Sequence, residues 1–328
     1  MARRALRAGP PIFSFVAQTE VPTLAAAAPA AATSASARRR RRMAQGYLFL
    51  LPSLALLATF TYYPILTTAE LSLYRATATV RSHAFVGTGN YLTIAADPIF
   101  HQVLRNSAEF LAGTVPVTVA LALVLALMLN RPHLLVTPFR TAFFYPALLP
   151  LIGAAAIWLF VYTPGYGLMD VYLKRIVGGG VAWLQDPTWA LPAVMLVSVW
   201  KNAGYYMLFY LAGLQTISTE LYEAARIEGA SAWQVFRSIT FPLLGPTTLF
   251  VLVIASINAF QSVDQIWIMT AGGPDNTTNV LLFYIYQTAF MFFDFGKAAA
   301  LTIFLLAVLM GIAALSFGVL ERRIHYEV

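Results

Sequence analysis

Six apolar runs, each long enough to cross a bilayer as a helix, constrain this chain more than any other feature of its sequence. About 20 helical residues cross the roughly 30 Å of hydrocarbon in a bilayer. The segment from Val280 to Phe293 is shorter and aromatic, so it is not counted as a seventh run. The sequence therefore predicts an all-α, polytopic membrane protein with six transmembrane helices, at residues 47–73, 107–129, 139–161, 190–214, 243–262 and 297–319.

The composition excludes an ordinary soluble domain. Hydrophobic residues make up 59% of the chain and charged residues 11%, whereas a soluble domain carries about 25% charge. Cysteine is absent, which excludes a disulfide framework, a thiolate nucleophile and a Cys-ligated metal. No zinc-protease or nucleophile-elbow motif occurs, and we expect neither a catalytic nor a metal site. The histidines fall in predicted loops or at the edge of a run: His83, His101, His133 and His325.

The distribution of basic residues predicts the orientation, because short cytoplasmic loops are enriched in Lys and Arg. With the N-terminus inside, 14 arginines fall on the cytoplasmic side and five basic residues fall outside. Both termini are therefore expected in the cytoplasm. The outer five are Arg75, Arg81, Arg105, Lys174 and Arg175.

The first 43 residues differ in kind from residues 44–328, which form the predicted transmembrane domain. They contain an Ala-rich run and end in five consecutive arginines, Arg38 to Arg42. No apolar stretch in them is long enough for a signal peptide. We expect a disordered cytoplasmic tail that contacts anionic lipid, and no nucleic-acid partner.

A polar segment between the fourth and fifth runs, residues 218–238, has the caps of two short helices and is called the hairpin below. Ser218 or Thr219 can cap a first helix whose first turn is acidic. Gly229 suits the left-handed conformation that ends a helix. Ser231 and the Gln three residues after it match a capping box that starts a second helix. The pattern predicts helix, turn, helix.

The hairpin resembles the signature of permease subunits of bacterial ATP-binding-cassette importers. That signature reads Glu-Ala-Ala, three residues, Gly, nine residues, Ile-x-Leu-Pro. Phe241 stands where the family has Leu, which is a conservative apolar change. An ordinary helical cytoplasmic loop is the alternative, and the spacing argues against it. The matching positions are Glu223, Ala224, Ala225, Gly229, Ile239 and Pro242.

The resemblance extends from about residue 44 to the C-terminus and is strongest to the carbohydrate-uptake branch, especially its glycerol-3-phosphate and disaccharide permeases. Short motifs along the chain carry it. They are Leu51-Pro52, Gly89-Asn90-Tyr91, Trp200-Lys201, Gly272-Gly273-Pro274 and Arg322-Arg323-Ile324-His325-Tyr326.

This resemblance implies a type I importer permease fold in the inner membrane of a bacterium. It also implies a second, similar permease subunit, a dimeric cytoplasmic ATPase and an extracytoplasmic solute-binding protein. The hairpin would dock on the ATPase, with Glu223 as the polar contact and Gly229 as the turn. An intrahelical pair of Glu223 with Arg226 is the structural alternative. The outer loops would receive the binding protein.

No phosphate-binding loop exists in this chain. Such a loop needs G-x-x-x-x-G-K-[ST], and the only lysine that follows a glycine, Lys297, precedes Ala298. We therefore expect no cofactor on this chain, with ATP and Mg²⁺ bound by the partner ATPase.

Polar residues inside apolar runs are the candidates for the solute path, because such groups usually face protein or water. Bonds between helices are the alternative role, and for Lys201 the alternatives are snorkelling to the interface or an ion pair with an acid such as Glu109 or Asp264. A sugar, a polyol or glycerol-3-phosphate is the expected solute. A non-carbohydrate solute, a channel and a secondary transporter remain alternatives. The path candidates are Lys201, Asn202, Tyr205, Tyr206, Asn258, Gln261 and Asp264.

Overall fold

The computed structural model describes residues 30–77, 84–130, 136–177, 180–316 and 318, and for several residues between 30 and 44 it describes the backbone alone. The predicted tail at residues 1–29 and the closing segment from Arg322 to Tyr326 lie outside these ranges. Two of the basic residues used to predict the orientation, Arg81 and Arg131, also lie outside the described ranges.

The described chain is almost entirely helical, as predicted. Short π-helical segments at Ala58–Tyr62, Phe236–Thr240 and Gln287–Met291 continue neighbouring helices, and two two-residue strands, β1 (Tyr74–Arg75) and β2 (Ala84–Phe85), pair antiparallel. The helices are α1 (Ala30–Leu57), α2 (Tyr63–Leu71), α3 (Gly89–Ala95), α4 (Pro98–Leu129), α5 (Val136–Leu148), α6 (Leu151–Tyr162), α7 (Leu168–Val177), α8 (Ala190–Thr216), α9 (Thr219–Ile227), α10 (Ala232–Val235), α11 (Phe241–Leu243), α12 (Gly245–Phe260), α13 (Asp264–Met269), α14 (Leu281–Tyr286) and α15 (Phe295–Leu315).

The first helix begins earlier than the sequence predicts. α1 starts at Ala30, so residues 30–43 are helical where a disordered tail was expected. Alanine and arginine are both good helix formers, and the helix that follows gives them a template on which to continue. The described chain divides into two structural units between Tyr63 and Pro64.

Within the part of the chain that the structure describes, three helical stretches are by themselves long and apolar enough to cross a membrane: Gln45–Leu71, α4 and α15. Two bent pairs, α5 with α6 and α10–α11 with α12, raise that number to as many as five. α8 has 27 residues, which is also long enough, but its middle carries Lys201 and Asn202. The stretch Leu281–Met291 is too short to cross, in agreement with its exclusion from the predicted spans.

The run at residues 139–161, predicted as one span, is broken. α5 and α6 meet at Leu149 and Pro150 with a bend of 99°, because a proline lacks the N–H that would continue the helix and restricts the residue before it. α8 supports the break. A side chain at Gly204 would overlap the carbonyl group of Phe143, so the backbone of α5 packs directly on α8.

The largest hydrophobic cluster among the described residues lies between α4, α8 and α12. This core includes Ala122, Val251 and, on α8, Met207 and Tyr210, all of them fully buried. A second cluster joins α6, α8 and α13 around Tyr162. The helices around these cores expose many apolar side chains, as expected of a bundle that faces lipid and further protein.

An ion pair ties the beginning of α4 to the beginning of α15. Lys297 Nζ lies 2.7 Å from Asp97 Oδ2, and the Tyr284 hydroxyl donates to the same oxygen at 2.7 Å. Partial burial raises the pKa of Asp97, but the hydrogen bonds from Lys297 and Tyr284 outweigh it and hold that pKa below its ordinary value. Asp97 also caps α4 by accepting from the Ile99 N–H.

Candidate functional site

The hairpin has the predicted helix-turn-helix form. Ser218 caps α9, its hydroxyl accepting from the Glu220 N–H at 3.2 Å. Gly229 takes the left-handed conformation, with φ at +77°. Ser231 and Gln234 form the capping box of α10, in which the Gln234 side chain accepts from the Ser231 N–H at 2.7 Å. The caps satisfy backbone groups at both helix starts, so this polar segment has a defined shape.

The signature residues of the hairpin divide between its surface and its base. Glu223 and Ala224 are exposed on α9, while Ala225 is buried against the bundle. Ile239 is partly buried in the π-helical segment after α10, and Pro242 is exposed within α11. Among the residues that the structure describes, Glu223 forms no ion pair, so the alternative pairing with Arg226 is not observed.

Three large apolar side chains of the hairpin are exposed, and sequence reasoning missed them. Ile227 is 87% exposed and Trp233 is 66% exposed, with Leu221 also at the surface. In the sequence these residues alternate with charged ones along two very short helices and form no continuous apolar run. Large exposed apolar groups on a segment that also carries charges are typical of a surface that binds another protein.

A cavity separates the hairpin from the end of α4. Its volume is about 700 Å³, and its walls include Val124 and Leu127 of α4 with Tyr222, Trp233 and Phe236 of the hairpin. The Tyr222 hydroxyl lies 3.2 Å from the Thr240 hydroxyl, which fixes α9 to the segment after α10. The hairpin is therefore held as a unit beside this cavity.

A small polar pocket lies near the middle of α8. Its volume is about 20 Å³, enough for about one water molecule. Three of the predicted path residues, Asn202, Tyr206 and Asn258, line it. The Asn258 amide donates to the Tyr206 hydroxyl at 2.9 Å, which leaves the hydroxyl hydrogen of Tyr206 available to a ligand.

Hydroxyl groups from α4, from α8 and from the turn after α12 complete the pocket: Thr114, Thr118, Ser198 and Ser262. Sequence reasoning missed them. The two threonines of α4 are four residues apart within an apolar run, a spacing that places them on one helix face. Each donates to its own helix at 2.6 Å, so their oxygens remain acceptors. All polar groups of the pocket are uncharged.

Lys201 is not part of this pocket. Its ammonium donates to the carbonyl oxygens of Pro146, Ala147 and Leu149 at 3.3, 3.3 and 2.6 Å. These carbonyls lie at the break between α5 and α6, where the regular helical hydrogen bonds end, and the Pro146 carbonyl also accepts from the Leu149 N–H at 3.3 Å. Neither of the expected acidic partners is used, and Glu109 pairs with Arg105 instead. The structure thus gives Lys201 a structural contact.

The remaining path candidates are not brought into the pocket. Tyr205 packs its ring on Phe209, with centroids 5.1 Å apart. Gln261 and Asp264 are exposed at the end of α12 and the start of α13. The amide that does bridge α8 and α13 belongs to Gln265, which donates to the Ser198 hydroxyl at 2.6 Å.

Two curated relatives match most of the chain. It is 37% identical over 277 residues to the lactose transport system permease protein LacF of Rhizobium radiobacter, covering 83% of this chain and 92% of the relative. It is 31% identical over 284 residues to the sn-glycerol-3-phosphate transport system permease protein UgpA of Brucella abortus, covering 86% of this chain and 96% of that relative.

The fold is that of a solved transporter. A chain of a bacterial alginate ABC transporter, crystallised in complex with an alginate pentasaccharide-bound periplasmic protein, superposes with a TM-score of 0.77 at 23% identity, covering 89% of this chain and 99% of that one. Residues 96–326 match the family model described as binding-protein-dependent transport system inner membrane component. The chain belongs to this family, whose members are transport subunits and not enzymes.

Proposed function

We propose that the chain is one permease half of an ATP-driven importer for an uncharged sugar or polyol. The observation that carries this proposal is the position of the two sites on α8. The polar pocket surrounds Asn202 near the middle of this helix, and the hairpin follows directly at its C-terminal end. Solute sites of transporters lie near the bilayer midplane, between elements that rock against each other.

The hairpin is the contact for a cytoplasmic ATPase in this proposal. Its two short helices are capped, it exposes Glu223 without an ion pair among the described residues, and it presents Ile227 and Trp233 to a partner. ATP and Mg²⁺ belong to the ATPase. One hairpin occupies the docking cleft of one ATPase subunit. An ATPase dimer has two such clefts, so a second permease subunit supplies the other hairpin.

Six membrane spans with both termini in the cytoplasm accommodate these contacts. The three long apolar helices, the two bent pairs and α8 make six. The arginine distribution places the hairpin on the cytoplasmic side and the start of α8 on the outer side. A soluble binding protein would deliver solute there, in agreement with the family description and with the periplasmic protein in the alginate transporter complex.

The chemistry of the polar pocket favours an uncharged solute. Its hydroxyl and amide groups provide neutral donors and acceptors, as sugar hydroxyls require. A phosphate needs a cation or several N–H donors in its site. The ammonium of Lys201 instead donates its hydrogen bonds to backbone carbonyls outside the pocket. The proposal therefore favours a sugar or polyol over glycerol-3-phosphate, although both kinds of name occur among the relatives.

Copurification of the chain with a coexpressed partner permease and ATPase tests the proposal. We expect Glu223→Ala to weaken ATPase retention by about tenfold or more, as truncation of an interface hot spot costs about 2 kcal/mol. Glu228→Ala, an equal loss of charge at the end of the same helix, is the control. Undiminished ATPase retention and ATP-dependent sugar uptake in the Glu223 variant would refute the hairpin's role.

A further inference from the structure

A second polar cavity lies on the same seam between α4 and α8 as the polar pocket. It is a crevice of about 330 Å³ at the N-terminal end of α8, opposite the hairpin. Its walls come from Gln102, Arg105 and Glu109 of α4 and from Thr188 and Met195 at the start of α8. The crevice is within the roughly 300–1,000 Å³ range of small-molecule sites, whereas the polar pocket is far below it.

An apolar contact lies between the residues of the two cavities on both helices. On α4, Glu109 lines the crevice and Thr114 lines the pocket, with Gly113 between them. On α8, Met195 lines the crevice, and Ser198 lines the pocket one turn further on. A β-carbon added at Gly113 would lie 2.7 Å from the sulfur of Met195, so the thioether lies directly against the glycine backbone.

The crevice has polar groups but little net charge. Arg105 Nε donates to Glu109 Oε1 at 2.7 Å, and their side chains are 79% and 47% exposed. Sugar hydroxyls can bond to both groups, because they donate to a carboxylate and accept from a guanidinium. A phosphate would be attracted by one group and repelled by the other. Like the polar pocket, the crevice fits an uncharged hydroxylated solute.

We propose that the crevice receives the solute and that the Met195 side chain is the barrier between it and the polar pocket. This assignment rests on the proposed function. Methionine suits such a barrier because its unbranched thioether has three rotatable bonds and changes rotamer without backbone movement. Because Gly113 has no side chain, it leaves space for the thioether that any larger residue would occupy.

Thiol labelling tests the barrier directly, since the chain has no cysteine of its own. Asn202→Cys, in the assembled transporter, is exposed to a membrane-impermeant methanethiosulfonate from the side on which the crevice opens. We expect Met195→Ala to raise the labelling rate about tenfold, the change produced by a barrier about 1.4 kcal/mol lower. Met195→Leu, which keeps the volume, and Leu196→Ala, one residue further along, should leave the rate unchanged.

A second cysteine controls for the fold, and a second variant tests the barrier independently of Met195→Ala. Thr188→Cys lies in the crevice itself and should be labelled equally in every background, which reports an intact fold. Gly113→Ala displaces the same thioether without truncating it and should also raise labelling of Asn202→Cys. If neither Met195→Ala nor Gly113→Ala raises it while Thr188→Cys is unchanged, Met195 is not the barrier.

Labelling also separates this inference from the proposed function. The reaction needs neither ATP hydrolysis nor uptake, so it reports the barrier even if the transporter carries another solute. Unchanged labelling in a complex that takes up sugar with ATP would refute the barrier alone. Loss of ATPase association would refute the proposed function and leave the labelling result intact.

Discussion

The ammonium of Lys201 lies 2.6 Å from the carbonyl oxygen of Leu149, the residue at which the α5–α6 element bends. The apolar run that contains Leu149 gives no sign of a partner for this carbonyl. A lysine in the middle of a neighbouring helix supplies one. The ion pairs expected for this lysine are replaced by bonds to backbone, which a sequence pattern does not display.

Replacement of Lys201 should destabilise the bend between α5 and α6. We expect Lys201→Met to lower the free energy of unfolding by about 2–3 kcal/mol, because hydrogen bonds from a charged group to the partly buried carbonyls of Ala147 and Leu149 are lost. The melting temperature of the complex in detergent measures the effect. Arg175→Met, on the exposed surface of α7, is the control. Equal melting temperatures for the two variants would contradict the contact.

Gly204→Ala should be more damaging. The added methyl group would overlap the backbone of α5 at Phe143, so the two helices must separate. We expect a loss of about 3 kcal/mol or more, or failure to accumulate in the membrane. Gly153→Ala is the matched control, since its methyl group meets nothing within 4 Å, and it should gain up to about 1 kcal/mol of helix propensity. Equal expression and stability would be inconsistent with the close packing.

Acid should weaken the contact of Asp97 with Lys297 and Tyr284. The pKa of Asp97 is lower in the folded protein than its ordinary value. Such a carboxylate stabilises the fold above its unfolded pKa of about 3.9, and the contribution is lost as the pH falls through the folded pKa. We expect Asp97→Asn to melt below the wild type at pH 7, with a difference that shrinks below about pH 4. A difference that does not depend on pH would exclude this linkage, and Asp264→Asn is the control.

The turn of the hairpin depends on the backbone conformation of Gly229 and not on space. Its φ is +77°, and a β-carbon there would meet nothing within 4 Å. We therefore expect Gly229→Ala to destabilise the hairpin by about 1–2 kcal/mol, and Gly229→Asn to cost less, since Asn tolerates this conformation. Hydrogen exchange of the α9 and α10 amides measures the local opening. Equal protection in all three proteins would show that the turn is not strained.

The polar pocket predicts a difference between two amides three residues apart. Asn258 bonds to Tyr206 in the pocket, whereas Gln261 is exposed outside it. We expect Asn258→Ala to raise the KM for sugar uptake by about tenfold, equivalent to about one good hydrogen bond, and Gln261→Ala to change it less than about twofold. Equal effects of the two variants would mean that the solute passes elsewhere.

The sequence predicted the hairpin well because its signals are local. Ser218, Gly229 and Ser231 each act on backbone within a few residues, and each has the predicted role in a cap or turn. The start of the chain was predicted less well, since the helix of α1 reaches back to Ala30 by continuing from its apolar part.

Features that depend on contacts between distant residues escaped prediction. Hydropathy treats residues 139–161 as one run and does not register the bend at Pro150. Of the path candidates, Asn202, Tyr206 and Asn258 converge, but Lys201 does not. A sequence shows which face of a helix a polar residue occupies. Whether that face lines a pocket or contacts the backbone of another helix depends on how the neighbouring helices pack.

α8 is unbroken from the crevice past the polar pocket to Thr216, two residues before Ser218, where the hairpin begins, and its 27 residues span about 40 Å. A tilt of about 5° would therefore shift one end by about 3–4 Å relative to the other. In the proposed importer, a displacement of the hairpin and a change in the width of the crevice would thus be the two ends of one rigid movement of α8.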